Sequence, residues 1–206
     1  MIAPAHLPDL PLDERLVLVG LELLAEEGLE ALSLRSIARR AGVSHGAPAR
    51  HFHSLADLLA EVAARGFVLL AEAMQRSDAE QPANVDPARR LAVASRAYLD
   101  AALANPALFA LMFRPESLDV SNASFVRESK AAFEGLLRHV QAAQAAGWQR
   151  QRDTRLLAGA LWASVHGLAT LWAQGAYQGP IPHASLEDAL TTTLALVRDD
   201  RQGEPE

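Results

Sequence analysis

The sequence predicts an all-α fold of about nine helices, four before and five after a polar linker at residues 77–86. Alanine and leucine dominate the chain, whereas aromatic residues make up only 5% and β-branched residues are sparse, which favours helix over strand. Apolar residues recur at spacings of three and four, and no stretch shows the two-residue alternation of a half-buried strand.

Composition excludes several classes of protein. Hydrophobic residues make up 50% and charged residues 21% of the 206 residues, which is typical of a globular protein and not of a disordered one. The absence of cysteine excludes disulfides and thiolate metal sites, and it fits a reducing compartment. No apolar run approaches the ~20 residues of a membrane span, and residues 1–11 lack a signal-peptide pattern. We therefore expect a cytoplasmic protein with no membrane partner.

The first helices are short and closely spaced. A helix at residues 13–27 carries one apolar stripe, and a second helix begins after its predicted N-cap, Ser33, and ends at Gly42. Ser44 is the predicted N-cap of a third short helix that ends near residue 52. We place Pro48 in the opening turn of that helix, because the N–H groups there have no intrahelical partner.

The remaining helices follow from similar signals. Ser54 and Asp57 form a capping box for the fourth helix, which ends before Ser77. Asp153 or Thr154 caps the eighth helix. The five helices after the linker are predicted at about residues 86–104, 106–113, 121–146, 155–174 and 185–197.

Charge is unevenly distributed. The net charge is −6, but residues 31–56 contain no acidic residue and carry four arginines and three histidines. A short positive face on a negative protein is what a local phosphate contact requires, although a solvated helix face would look the same. Two very short helices joined by a glycine-containing turn are typical of a helix-turn-helix, whose second helix enters the major groove of DNA.

This stretch resembles a known family. Gly28-Leu-Glu-Ala-Leu-Ser-Leu-Arg-Ser-Ile-Ala38, then Ala41-Gly-Val-Ser-His-Gly46 and His51-Phe52, is similar to the TetR-type repressors over residues 12–70. Leu161-Trp-Ala-Ser-Val-His-Gly-Leu168 resembles the Trp…His-Gly pattern of one branch of that family. The resemblance implies a DNA-binding domain at residues 12–72 and a C-terminal ligand-binding and dimerisation domain at residues 85–200.

Two positions depart from the family pattern. Family members usually carry Tyr at position 49 and Lys at position 55, where this chain has Ala49 and Leu55. Losing one phosphate contact in each half of a dimer lowers the salt slope of binding by roughly 2. Arg50 and His51 could compensate for the loss.

The candidate DNA-binding residues lie on the two short helices. Arginines on the helix that follows Ser33 could contact phosphates, and Arg50 could bind guanine or phosphate. Phe52 is expected in the core. His51 and His53 are two residues apart and do not form a metal pair. The full set is Ser33, Arg35, Arg39, Arg40, Ser44, His45, Gly46, Ala47, Arg50 and His51.

Trp162 and His166 are four residues apart and would share a helix face. They could line a ligand pocket walled by Phe109, Met112 and Phe113, but the sequence alone slightly favours a packed tryptophan and a satisfied core histidine. Small residues at one-turn intervals suit close helix contact: Ala158, Gly159, Ala163 and Gly167. The resemblance implies a four-helix dimer interface from the last two helices, with Leu186, Ala189, Leu190, Leu194 and Val197.

The sequence thus favours a homodimeric regulator that binds a palindromic double-stranded DNA operator and releases it when a small-molecule effector of unknown identity binds. Enzyme motifs such as a nucleophile elbow, a phosphate loop or HExxH are absent from the sequence. We therefore expect no cofactor, no catalytic residue and no metal-binding residue. The alternative is an all-α ligand-binding or interaction protein that has lost operator binding. Ion pairs between the arginines and Glu26, Glu27 or Glu30 would favour that alternative.

Overall fold

The computed structural model describes residues 10–196, and within them it contains eight α-helices and no β-strand. The all-α prediction is confirmed, with one α-helix fewer than expected. The helices are α1 Leu12–Glu27, α2 Leu34–Arg40, α3 Leu55–Ala79, α4 Pro87–Ala104, α5 Pro106–Met112, α6 Ala123–Ala145, α7 Thr154–Ala173 and α8 Leu186–Leu196.

The third predicted helix is a single 3₁₀ turn, Pro48–Arg50. Pro48 has no N–H with which to continue an α-helical pattern from Ser44, so the segment is held mainly by i→i−3 bonds such as His51 N to Pro48 O at 2.9 Å. The predicted capping role of Ser44 is wrong, because its side chain caps no N–H among residues 10–196. A proline near the start of a short segment here produced a turn instead of a helix.

Other helix boundaries follow the sequence closely. The side chains of Ser33, Asp153 and Ser185 each accept a backbone N–H in the first turn of the helix that follows, as predicted. The helix α3 runs to Ala79 and so extends beyond its predicted end before Ser77.

The first compact unit consists of residues 10–68 and 105–130. Its core lies where α1, α2 and α3 meet. Gly20 of α1 lets α3 approach closely, since a Cβ atom at this position would lie 3.0 Å from Val62 Cγ2. The largest of the almost completely buried side chains in this core are Leu16, Leu24, Ile37, Leu58 and Val62.

The second compact unit consists of residues 69–104 and 131–196. Helices α4 and α7 pack against each other, and α8 packs on α7. At the start of α4, Arg90 donates to Asp78 Oδ1 at 2.7 Å and to the carbonyl of Pro82 at 2.8 Å, which fixes the linker. The almost completely buried side chains of the unit include Leu99, Val140, Ala143, Ala158, Leu161 and Ala169.

The compact units do not coincide with the domains drawn from the sequence at residues 12–72 and 85–200, because residues 105–130 cluster with the N-terminal residues. Those domain bounds stay a prediction about where each function lies.

Helix α7 is more apolar than the sequence analysis expected of any segment of this chain. It is the only helix within residues 10–196 that is long and apolar enough to cross a membrane by length and composition, with a mean hydropathy of 1.4.

Candidate functional site

The surface of the first unit around α2 presents the residues predicted to bind DNA. We call residues 44–52 the recognition segment. Within it His45, Gly46, Arg50 and His51 are exposed and Ala47 is half-buried. Phe52 is buried, as expected for a core residue. The structure therefore anchors the segment through Pro48 and Phe52 and presents its polar side chains outward.

Three of the four arginines on this surface carry uncompensated charge. Arg35, Arg39 and Arg50 are exposed and form no ion pair with any carboxylate of residues 10–196. Arg40 is different, because its guanidinium pairs with the carboxylate of Glu26 at the end of α1. One arginine is thus held by an acidic neighbour, while three remain available for phosphates.

The Ser33 hydroxyl forms hydrogen bonds within the first turn of α2. It caps α2 by accepting the N–H of Ser36 at 3.0 Å, and the Ser36 hydroxyl accepts the N–H of Ser33 at 2.9 Å. Ser33 remains exposed despite this role. The exposed Ser44 forms no side-chain hydrogen bond to any residue between 10 and 196.

Two supporting residues of this surface were missed by the sequence analysis. Arg15 of α1 donates to the carbonyl of Ala41 at 2.9 Å and so holds the C-terminal end of α2. Asn122, in the turn before α6, donates to Asp57 and Glu61 of α3. No short-range pattern identifies either residue, because each partner lies at least 26 residues away in the sequence.

The five residues predicted to line a ligand pocket fall into two groups. Phe109, Met112 and Phe113 belong to the first unit, where the ring of Phe113 lies edge-on to Phe67 at 5.5 Å and to Phe109 at 5.3 Å. Gly66 of α3 makes room for this cluster, since a Cβ atom there would lie 2.6 Å from Met112 Sδ.

Trp162 and His166 belong to the second unit and meet there on one face of α7, with ring centroids 6.1 Å apart. Tyr98 of α4, which the sequence analysis did not identify, lies with its hydroxyl oxygen 2.9 Å from His166 Nδ1 and 3.2 Å from Trp162 Nε1. The indole nitrogen can only donate, so the phenol oxygen accepts from Trp162, while the direction of its bond to Nδ1 is set by the tautomer of the His166 imidazole.

Burial sets the protonation states of this trio. Burial raises the pKa of the Tyr98 hydroxyl well above its usual value, although the Trp162 hydrogen bond partly opposes the shift. Burial also lowers the pKa of His166. Both groups are therefore neutral near pH 7.

The predicted dimer surface on the last helix is only partly exposed, whereas α7 carries exposed apolar residues. Ala189 and Leu190 are buried within the second unit, each with 3% exposure, so they are not on a free face, and Val197 lies outside the described residues. The unpartnered stripe runs instead along α7, where no atom lies within 4 Å of a Cβ built at Gly159 or Gly167. Its other members are Leu156, Ala160, Ala163 and Leu171.

The second unit also contains an open apolar cavity of about 210 Å³. Residues of α4, α7 and α8 form its walls, and Trp148 of the loop before α7 closes one side. Among residues 10–196 no cluster of three or more His, Asp or Glu side chains could hold a metal ion.

Comparison with known families accounts for these features together. Residues 16–62 match the model "Bacterial regulatory proteins, tetR family", and residues 91–195 match "Tetracyclin repressor-like, C-terminal domain". The first match includes α2 and the recognition segment, and the second alone spans more than half of the chain. The chain belongs to the TetR family of DNA-binding transcription regulators.

Solved structures share the fold of this chain. A protein of unknown function from Rhodococcus sp. RHA1 is 32% identical, with 94% of this chain and 96% of that chain covered and a TM-score of 0.78. A TetR family transcription regulator from Marinobacter aquaeolei VT8 shares the fold at 18% identity, 91% and 95% coverage and a TM-score of 0.66. PfmR from Thermus thermophilus does so at 20% identity, 89% and 97% coverage and a TM-score of 0.63. No curated protein sequence matches the chain.

Proposed function

We propose that the chain is a homodimeric repressor that binds a palindromic DNA operator and leaves it when a small molecule binds. The observation that carries this proposal is the recognition segment, which is exposed and flanked by three arginines without carboxylate partners among the described residues. A surface of this kind contacts phosphates through its cations and base edges through the outward side chains of the segment. The DNA-binding role is assigned to residues 12–72.

Dimerisation is proposed at the apolar stripe on α7. Leu156 is 77% exposed in the single chain, and the small side chains at Ala160 and Ala163 allow a second helix to approach closely. A twofold dimer carries two recognition segments, and a palindromic operator receives them in successive major grooves, about 34 Å apart. Burial of the stripe also explains the apolar composition of α7 without a membrane, and we assign the protein to the cytoplasm.

Effector binding is proposed for the domain at residues 85–200, in the family branch indicated by the Trp…His-Gly pattern. Trp162, which is 38% exposed, and the half-buried His166 are the proposed contacts in the second unit. Phe109, Met112 and Phe113 stay predicted contacts. A small amphipathic molecule suits a wall of this type, with apolar rings beside a polar imidazole. Its effect on operator binding can be no larger than its difference in affinity for the two protein states. We propose no enzymatic activity and no cofactor.

The rival function is ligand binding without an operator. The Arg40–Glu26 ion pair and the loss of Tyr and Lys at positions 49 and 55 favour it. Against it stand Arg35, Arg39 and Arg50, because their charges are not balanced by the carboxylates of the described residues. Because three arginines lack a carboxylate partner and only Arg40 has one, we favour DNA binding.

The decisive experiment is selection of bound DNA from a pool of random duplexes by the purified full-length chain. The expected result is an enriched palindrome whose half-sites are about one helical turn apart, with an affinity that falls steeply as salt rises. Equal binding to scrambled duplexes, or no enrichment after several rounds, would contradict the proposal and support the rival function.

A further inference from the structure

The turn before α6 is bound to the first turn of α3 within the first unit. The side-chain nitrogen of Asn122 donates to Asp57 Oδ1 at 2.9 Å and to Glu61 Oε1 at 3.0 Å. The backbone N–H of Asp119 adds a third bond, to the carbonyl of Ala56 at 3.0 Å. Asn122 also caps α6, because its side-chain oxygen accepts the N–H of Phe125 at 3.0 Å.

Asp57 connects this turn to the recognition segment. Its second oxygen, Oδ2, accepts the backbone N–H of His53 at 2.9 Å, and His53 directly follows the last residue of the segment. One carboxylate therefore holds the end of the recognition segment on one oxygen and Asn122 on the other. A change in the position of Asn122 acts on His53 through a single side chain.

The link between Asn122 and Asp57 depends on the amide N–H groups of Asn122, because both of its partners are carboxylates. Asp57 and Glu61 are four residues apart on α3, where two negative charges repel each other. Asn122 supplies one N–H to each carboxylate from the same nitrogen, which offsets the repulsion. A residue that could only accept hydrogen bonds at this position would leave both carboxylates without the donor.

Helix α6, which Asn122 caps, includes residues of both units. Residues 123–130 of α6 belong to the first unit and residues 131–145 to the second. In the second unit Phe133 of α6 lies edge-on to Trp162, with ring centroids 6.1 Å apart. Phe133 follows Asn122 by eleven residues in the sequence, and α6 runs from Ala123 through Phe133 as one α-helix.

We propose that Asn122 is a positioning residue that couples Trp162 to the recognition segment. A shift of Phe133 moves α6, α6 moves its cap Asn122, and Asn122 acts through Asp57 on His53. The regulatory meaning of this coupling rests on the operator and effector functions proposed above. Asn122 itself is assigned no contact with either ligand.

The test measures hydrogen exchange of backbone amides in the full-length chain without operator or effector. The variant N122D keeps an oxygen that caps α6 and removes the donor to Asp57 and Glu61. We expect exchange in residues 49–53 to become about tenfold faster, because the lost bonds are charge-assisted, whereas exchange at Phe125 stays unchanged. The double variant N122D/D57N should return exchange toward the wild-type rate, since the amide introduced at position 57 can donate to the carboxylate introduced at position 122 while its oxygen accepts the N–H of His53.

A second comparison separates coupling from local stability. F133A removes the ring next to Trp162 and should raise exchange in residues 49–53 by about threefold in the wild-type background but not in N122D. A residue that only stabilises α3 would give the same factor in both backgrounds. Equal factors, or no effect of F133A on residues 49–53, would overturn the proposal, as would normal exchange in N122D.

These measurements use neither DNA nor a small molecule, so their outcome is separate from that of the operator selection. A chain that selects no operator but shows the expected exchange pattern retains the coupling and lacks the proposed function. A chain that selects an operator and shows additive exchange effects retains the function and lacks this coupling.

Discussion

The hydroxyl oxygen of Tyr98 lies 2.9 Å from His166 Nδ1, and the same oxygen accepts the indole N–H of Trp162 at 3.2 Å. One buried phenol on α4 therefore orders two residues of α7 that the sequence identified as possible effector contacts. We predict that the phenol donates to Nδ1 and that the ring proton of the imidazole is therefore on Nε2. An effector that reaches His166 would meet a donor.

Substitution of Tyr98 tests the role of this phenol. Y98F removes the donor to Nδ1 and the acceptor for Trp162, so the neutral imidazole loses support and the pKa of His166 should rise. The loss of hydrogen bonds at a buried site should also lower the free energy of unfolding by about 1–3 kcal/mol. NMR titration of the imidazole and urea unfolding measure the two effects. An unchanged or lowered His166 pKa would contradict the predicted direction of the hydrogen bond.

Stability should depend on pH through the buried histidines. Burial lowers the pKa values of His139 and His166 in the folded chain, so the unfolded chain binds more protons near its own histidine pKa of about 6.5. The stabilisation is complete above that pH and is lost as the pH falls through it toward the folded pKa values. Urea unfolding at several pH values between neutrality and mild acidity should show this loss. The H139Q/H166Q variant should show a smaller loss over the same range.

Arg50 tests the DNA surface. Its exposed guanidinium lies at the end of the 3₁₀ turn and has no carboxylate partner among the described residues. R50A should weaken operator binding and, if the contact is to phosphate, lower the salt slope by roughly 2 for a dimer. The matched control is R89A, which removes the same charge from an exposed position on α4. Equal losses in both variants would show that only net charge matters.

Glu26 is expected to restrain DNA binding. Its carboxylate pairs with Arg40, and E26Q should release that arginine for a phosphate while removing a negative charge near the DNA. Operator affinity should increase and the salt slope should become steeper. E27Q provides the control, because Glu27 is also exposed at the end of α1 but forms no ion pair within residues 10–196. A larger gain in E27Q than in E26Q would exclude the release of Arg40 as the cause.

The stripe on α7 predicts the site of dimerisation. A163R places a long cation on the exposed face beside Gly159 and Gly167, where close approach of a second helix requires small side chains. Sedimentation analysis should show a shift from dimer to monomer with little change in helix content. A110R makes the same substitution at an exposed alanine of α5 and should remain dimeric. A dimeric A163R variant would place the interface elsewhere.

Local patterns in the sequence determined much of this protein. The periodicity of apolar residues predicted the helices, and the capping residues Ser33, Asp153 and Ser185 predicted three of their starts, because capping acts within a single turn. The exposed character of His45 and Arg50 followed from the helix-turn-helix pattern in the same way.

Only the tertiary structure decided the rest. Pro48 turned the expected third helix into a 3₁₀ turn, and Ala189 and Leu190 proved to be core residues of the chain and not free for a partner. Tyr98 lies 68 residues from its partner His166, and Asn122 lies 65 residues from Asp57. Such contacts depend on how helices pack, and a hydrophobic pattern states that a face is buried without stating which chain or residue covers it.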